Sequence, residues 1–159
     1  MPHRLISPSR SNGGFTLIEL MVTVTVGAIV LAVGIPSFGS FVAGQRVKTA
    51  GYDLSTALLL ARSEAIKRNV DVIVAPRVSA TGWSSGWTIT STGGIDIAEQ
   101  VAFTGLTITR AEGGADSISF GRGGRPSAKA TFSIASGANS RCVQLDLTGL
   151  PSTKNGACS

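Results

Sequence analysis

Phe15-Thr16-Leu17-Ile18-Glu19-Leu20-Met21-Val22 opens the stretch that decides the fold, a run of Leu, Ile, Val, Met, Ala and Phe that continues to Phe38. From Leu20 to Gln45 there is no Asp, Glu, Lys or Arg. An apolar stretch above about 18 residues is long enough to cross a bilayer as a helix. In front of it lies a short basic, polar leader with Arg4 and Arg10 among Ser7, Pro8, Ser9 and Ser11. A secretory signal peptide begins in the same way, but its apolar region covers only about 7 to 15 residues. This run is longer and carries a carboxylate, Glu19, near its start. A plain N-terminal signal anchor is the alternative reading.

The helical pattern continues past the apolar run. Val47, Leu54, Leu58, Ala61 and Ala65 share one helical face, whereas Arg46, Lys48, Asp53, Arg62, Lys67 and Arg68 fall mostly elsewhere. One helix is therefore expected over 15–69, membrane-spanning over 15–38 and amphipathic over 40–69. Proline removes an intrahelical donor and clashes with the preceding turn, so a kink is expected at Pro36, next to Gly34.

After Asn69 the period changes to two and β-branched residues dominate, with Val70, Val72 and Val74 leading to Pro76. Further strands are expected at 86–90, 95–103, 106–110, 117–122, 130–134 and 142–147. Gly, Ser, Thr and Asn separate them at short spacing, which favours hairpins and an antiparallel sheet over crossover connections. The fold class is thus α+β, a long N-terminal helix packed on an antiparallel β-domain at 70–159.

The chain has 159 residues, of which 43% are hydrophobic and 14% charged, with a formal charge of +5. An ordinary soluble domain carries about 25% charge. The deficit belongs to one end, since only Arg4, Arg10 and Glu19 are charged before Arg46. The single histidine, His3, lies in the leader, which removes most catalytic triads and any Cys/His zinc site. Gly121-Arg122-Gly123-Gly124-Arg125-Pro126 lacks the Lys-Ser/Thr ending of a phosphate loop and opens no helix, so it is expected to be a hairpin turn. Asp71, Asp96, Asp116 and Asp146 are scattered singly. No catalytic residue, metal site or cofactor is assigned, and the chain is not expected to be an enzyme. Trp83 and Trp87 bracket a turn with Gly82 and Gly86 and are expected to pack against the sheet.

Cys142 and Cys158 are the only cysteines. In an oxidising compartment they would pair, closing a loop of about 15 residues and adding about 3 kcal/mol in the chain-entropy model. A redox-active pair would favour Cys-x-x-Cys spacing on a helix.

Glu19 needs a partner, because a carboxylate inside a membrane helix costs roughly 2.5 to 3.5 kcal/mol by insertion scales. Cleavage between Gly14 and Phe15 would create an α-amino group at matching depth on a neighbouring subunit. Alternatively the carboxylate reaches the headgroup region from its place one turn inside the helix. Here the residues carry a resemblance. Gly13-Gly14-Phe15-Thr16-Leu17-Ile18-Glu19-Leu20-Met21-Val22 is similar to the class III signal of type IV pilins and type II secretion pseudopilins. The resemblance implies a leader at 1–14 removed after Gly14 by a prepilin peptidase on the cytoplasmic side, N-methylation of Phe15, and use of Glu19 in subunit docking. Pro36 lies where pilins carry a helix-breaking proline. The stretch 54–69, with the strand and Trp-bearing turn that follow, resembles the GspH/FimT family, and the two late cysteines lean toward its FimT/FimU pilus branch.

That resemblance implies a type IV pilin-like fold, with inner-membrane lipid, the peptidase and other pilin or pseudopilin subunits as partners. It implies a single-pass inner-membrane protein with its C-terminal domain in the periplasm. The leading expectation is a minor pilin that primes or joins a type IV pilus, the alternative a minor pseudopilin of type II secretion. A second alternative is DNA capture in natural transformation. DNA-binding FimT proteins carry Gly-Arg-x-Arg in the C-terminal cysteine loop, where this chain has Gly149-Leu150-Pro151-Ser152 with Lys154 nearby. Arg122, Arg125 and Lys129 are the best remaining basic cluster for a DNA contact, though a solvated hairpin is the simpler reading of them. Without residues 1–14 the chain keeps twelve basic and nine acidic side chains, a charge of +3.

Overall fold

The computed structural model describes residues 14–111 and 117–158, without the side chains of 33–37. The leader ahead of Gly14, the side chain of Pro36 with its expected kink, and Asp116 lie outside that description. The chain divides into two compact units, Met1–Ser37 and Phe38–Ser159.

A single helix, α1, spans Leu17–Arg68. It starts two residues later than Phe15 because Thr16 caps it: the Glu19 backbone N–H donates to Thr16 Oγ1 at 3.2 Å. Its C-terminal end is marked by Lys67 and Arg68 in the last turn, then by Asn69 at φ 53°. Cations there favour the carbonyl end of the helix, and Asn tolerates the left-handed conformation that stops it. In the first unit the apolar side chains from Phe15 to Leu31 are exposed on every face. Among the described residues no helix is long and apolar enough to cross a membrane. The span expected over 15–38 includes residues 33–37.

In the second unit Val47, Ala50, Leu54, Ala57, Leu58, Ala61 and Ala65 form one buried stripe. Their steps of three and four residues keep them on one face of a 3.6-residue helix. They join a core with Val72, Val74, Trp83, Trp87, Ile89, Ile108, Ile118, Phe120, Phe132, Ile134, Val143 and Leu145. The many alanines let the helix backbone approach the strands closely.

Among the described residues eight strands form two four-stranded antiparallel sheets rather than the one expected. The first contains β1 (Val72–Pro76), β2 (Gly86–Ser91), β3 (Asp96–Val101) and β5 (Ile118–Phe120), in the order β3-β2-β1-β5. The second contains β4 (Thr107–Arg110), β6 (Ala130–Ser136), β7 (Asn139–Leu145) and β8 (Pro151–Asn155), in the order β4-β6-β7-β8. β1 begins at Val72, not Val70, because the left-handed Asn69 still turns the chain. Between β1 and β2 a 3-10 segment, Ser79–Ser85, takes the place of a simple turn and buries Trp83, whose ring meets Phe132 edge-on at 4.7 Å.

Two further segments of the β-domain are set by local geometry. The Gly121–Pro126 segment does turn tightly, with the Gly121 N–H donating to the Arg125 carbonyl at 2.9 Å and the Gly124 N–H to Gly121 O at 2.7 Å. It closes as a short hairpin, with Phe120 and Pro126 in an antiparallel bridge and the Ser127 N–H donating to Ser119 O at 2.8 Å, before the chain crosses to β6 in the other sheet. β8 pairs with β7 in the register Cys142↔Lys154 and Leu145↔Pro151, although its sequence carries no apolar alternation. As an edge strand it contributes backbone pairing rather than core side chains.

Candidate functional site

The N-terminal end of α1 is built by its own sequence. Thr16 and Glu19 stand in the spacing of a capping box, and the Leu20 N–H also donates to the Thr16 carbonyl at 3.2 Å. Glu19 thereby lies in the first turn, where the exposed N–H groups favour a negative charge. Downstream, the Thr23 and Thr25 hydroxyls donate to the carbonyls of Leu20 and Met21 at 2.9 and 2.8 Å. The only polar side chains in this part of the helix are therefore satisfied within it, apart from the exposed Glu19. Gly14 and Phe15 precede the helix and are exposed, with Phe15 at 84%.

At the other end of the chain Cys142 on β7 and Cys158 beyond β8 are joined by a disulfide, with Cα atoms 5.0 Å apart. Strand alternation places Cys142 on the face opposite Arg141 and Val143, which explains why three consecutive residues of β7 are buried. The turn between β7 and β8 is organised by Asp146. Its Oδ1 accepts the Thr148 N–H at 2.9 Å, the Thr148 hydroxyl, and the Leu150 N–H at 3.3 Å. The Thr148 hydroxyl first, and then the backbone N–H groups, hold the Asp146 carboxyl below the ordinary Asp range.

The basic residues do not form one patch by any shared contact. Arg122 and Arg125 are exposed on the Gly121–Pro126 turn. Lys129, just before β6, lines a cavity of about 410 Å³ with Thr131, Gln144, Asp146 and Ser152. Asp146 lies in the same wall. On the helix, Glu64 binds Arg68 and Lys67, and the Arg68 hydrogen bond pulls its carboxyl below the usual range. Arg77 on one side of the first sheet pairs with Glu99 of β3.

A second cavity, of about 190 Å³, lies between α1 and the β2–β3 edge, lined by Asp53, Thr56, Ala57, Leu60, Trp87 and Ile89 among others. Burial there raises the Asp53 carboxyl above its ordinary value. A third, of about 210 Å³, contains Lys48, Asn139 and Arg141. Sequence reading missed Arg141, because the strand was expected to begin at Cys142. The available signal was an arginine two residues before Val143, on the same strand face. No group of three or more His, Cys, Asp or Glu is placed to hold a metal ion among the described residues.

With this geometry in view, the likenesses to known proteins are specific. The family profile described as "Type II transport protein GspH" matches residues 50–149, and that described as "Prokaryotic N-terminal methylation motif" matches residues 9–35. No curated protein sequence matches the chain. The fold is similar to that of the type IV minor pilin FimU from Pseudomonas aeruginosa, with TM-score 0.60 and 19% identity over 69% of this chain and 89% of that one. It is also similar to the minor pseudopilin EpsH of the Vibrio cholerae type II secretion system, with TM-score 0.56 and 18% identity over 69% of this chain and 97% of that one. The GspH profile covers more than half of the chain, which therefore belongs to the GspH family.

Proposed function

We propose that the chain is a minor pilin, a priming or structural subunit of a type IV pilus. The observation that carries this reading is the join between an uncovered apolar helix and a folded β-domain. From Phe15 to Leu31 the apolar side chains are exposed among the described residues, a surface suited to lipid or neighbouring helices. The methylation motif at 9–35 supports cleavage after Gly14 and methylation of the new N-terminus at Phe15. Before assembly the helix spans the inner membrane over 15–38, with its N-terminus cytoplasmic and residues 70–159 in the periplasm. The Cys142–Cys158 disulfide suits that oxidising compartment.

The second reading, a minor pseudopilin of type II secretion, is favoured by the GspH profile over residues 50–149. Both machines use the same processed helix, so the test compares their outputs. Deleting the gene is expected to reduce surface pili while leaving secreted enzyme levels unchanged, with both measured in one strain. Loss of secretion with normal piliation would assign the subunit to the other machine. DNA binding through Arg122, Arg125 and Lys129 draws no support from a shared surface. It is excluded as a function if the full chain gives no salt-sensitive retardation of DNA at micromolar protein.

A further inference from the structure

Among the described residues Arg141 is the only buried charged residue, with 8% of its surface exposed. Its groups are held by neutral partners. Nη1 donates to Asn155 Oδ1 at 2.9 Å and Nη2 to Thr153 Oγ1 at 3.0 Å, both on β8. The guanidinium lies over the Tyr52 ring, 4.8 Å from its centre, and Nε is buried without a partner. None of the ion pairs among the described residues involves Arg141. A buried cation that meets no anion is costly, because neutral acceptors and a ring face replace only part of its hydration.

The same residue lines the cavity of about 210 Å³ together with Lys48 from α1 and Asn139, Ser140 and Asn155 from the second sheet. Lys48 also takes part in none of those ion pairs. Two cations from different elements, with amide and hydroxyl donors between them, face one small space. Gly44 and Val47 add an apolar wall. The walls are held in place: Asn139 Nδ2 donates to the Ser40 carbonyl at 3.1 Å, and a Cβ on Gly51 would stand 2.6 Å from Arg141 Cδ. The helix has a glycine where the arginine stem passes.

We propose that this cavity is a carboxylate-binding site, in which Arg141 and Lys48 share the negative charge, Asn139 and Ser140 donate to it, and Val47 receives a methylene stem. Arginine is suited to this role because each Nη keeps a second N–H after bonding to β8, and its planar fork matches two carboxylate oxygens. The site goes beyond the choice between the two machines and does not depend on it. Its ligand is either an Asp or Glu side chain of a neighbouring subunit or a free small carboxylate.

The test uses the full chain in detergent micelles, with sodium acetate as the probe and sodium chloride at equal ionic strength as the reference. Acetate is expected to raise the Tm above the chloride value and to shift the Arg141 Nε–H signal in ¹⁵N NMR spectra. Lys48→Gln, a change at an exposed helix position that leaves the fold intact, is expected to remove at least half of the Tm increase. Equal Tm values in acetate and chloride would overturn the proposal, as would an undiminished response in Lys48→Gln. A larger response to inorganic phosphate than to acetate would also overturn it, in favour of a tetrahedral anion. Carbodiimide coupling in assembled material then separates the two sources. An amide between Lys48 and an Asp or Glu of another chain, found by mass spectrometry, assigns the site to a neighbouring subunit. An acetate response without that link assigns it to a free carboxylate.

Discussion

Two aspartates show how position sets the sign of a charge's effect. Burial raises the Asp53 carboxyl, so the favourable contribution of this group exists below its unfolded value and is lost as pH rises through the folded value. Asp53→Asn is therefore expected to raise Tm at pH 7, by less than about 3 °C, and to leave it unchanged at pH 3, where both states hold the proton. A thermal scan of the two proteins at each pH checks this, and equal shifts at both would rule out burial as the cause. Asp146 has the opposite sign. Hydrogen bonds to its charged form lower it, so its contribution is present above the unfolded value and disappears as pH falls through the folded one. The turn it organises also needs Gly149, at φ +80°, where an added Cβ would lie 2.5 Å from the Gly124 carbonyl oxygen. Gly149→Ala should cost about 1 to 3 kcal/mol in urea unfolding. A loss under about 0.5 kcal/mol, the range of ordinary surface changes, would mean that the two loops separate easily.

At the scale of elements, the helix and the C-terminal strand are stabilised in different ways. Leu58 is fully buried in the stripe of α1, whereas its neighbour Leu59 is 43% exposed. Leu58→Ala is expected to cost about 2 to 5 kcal/mol and Leu59→Ala no more than about 0.5, both read from denaturant midpoints of the full chain. Similar losses at the two positions would contradict the packing described for this face. β8 has no such stripe and is held by β7, by Arg141 and by the disulfide. Reduction of the disulfide should lower stability by about 3 kcal/mol and expose the β8 amides to hydrogen exchange before those of β6. Unchanged β8 protection would show that strand pairing alone suffices. The same contrast explains what could be read from sequence. The helix stripe was legible because its periodicity is local and its solvent is fixed by the core. The division into two sheets was not, since β1 takes β5 as a partner across many residues and no pattern within either strand records that choice. Pro151–Asn155 was hidden because an edge strand shows no alternation. Arg141 was hidden because Tyr52, Thr153 and Asn155, which accommodate its charge, come from separate parts of the chain. Gly14, Phe15 and Glu19 stood out from sequence because their signal is a short contiguous motif, while Pro36 was marked by its position in the apolar run.

For the whole molecule, the decisive question is what covers the apolar side chains of Phe15 to Leu31, which are exposed among the described residues. A filament answers it with heterologous contacts, in which one surface of each subunit meets a different surface of the next. In the proposed filament the apolar side chains of Phe15 to Leu31 would supply area without direction, and Glu19 would supply direction. Leaving this carboxylate without a cation in the bilayer costs roughly 2.5 to 3.5 kcal/mol, so pairing with the α-amino group of a neighbouring Phe15 would favour docking by more than about tenfold. Glu19→Ala is expected to insert and be processed normally but to enter filaments at least tenfold less than the unaltered chain. The start of the helix is preserved in this variant, because Thr16 Oγ1 accepts the backbone N–H of residue 19 and not its side chain. Intact mass of the membrane-extracted variant should show the loss of residues 1–14 and the gain of one methyl group. If processing is normal and incorporation falls, the carboxylate acts in assembly. If incorporation is also normal, Glu19 serves only the electrostatics of its own helix terminus, and subunit order must be set by the domain beyond Phe38.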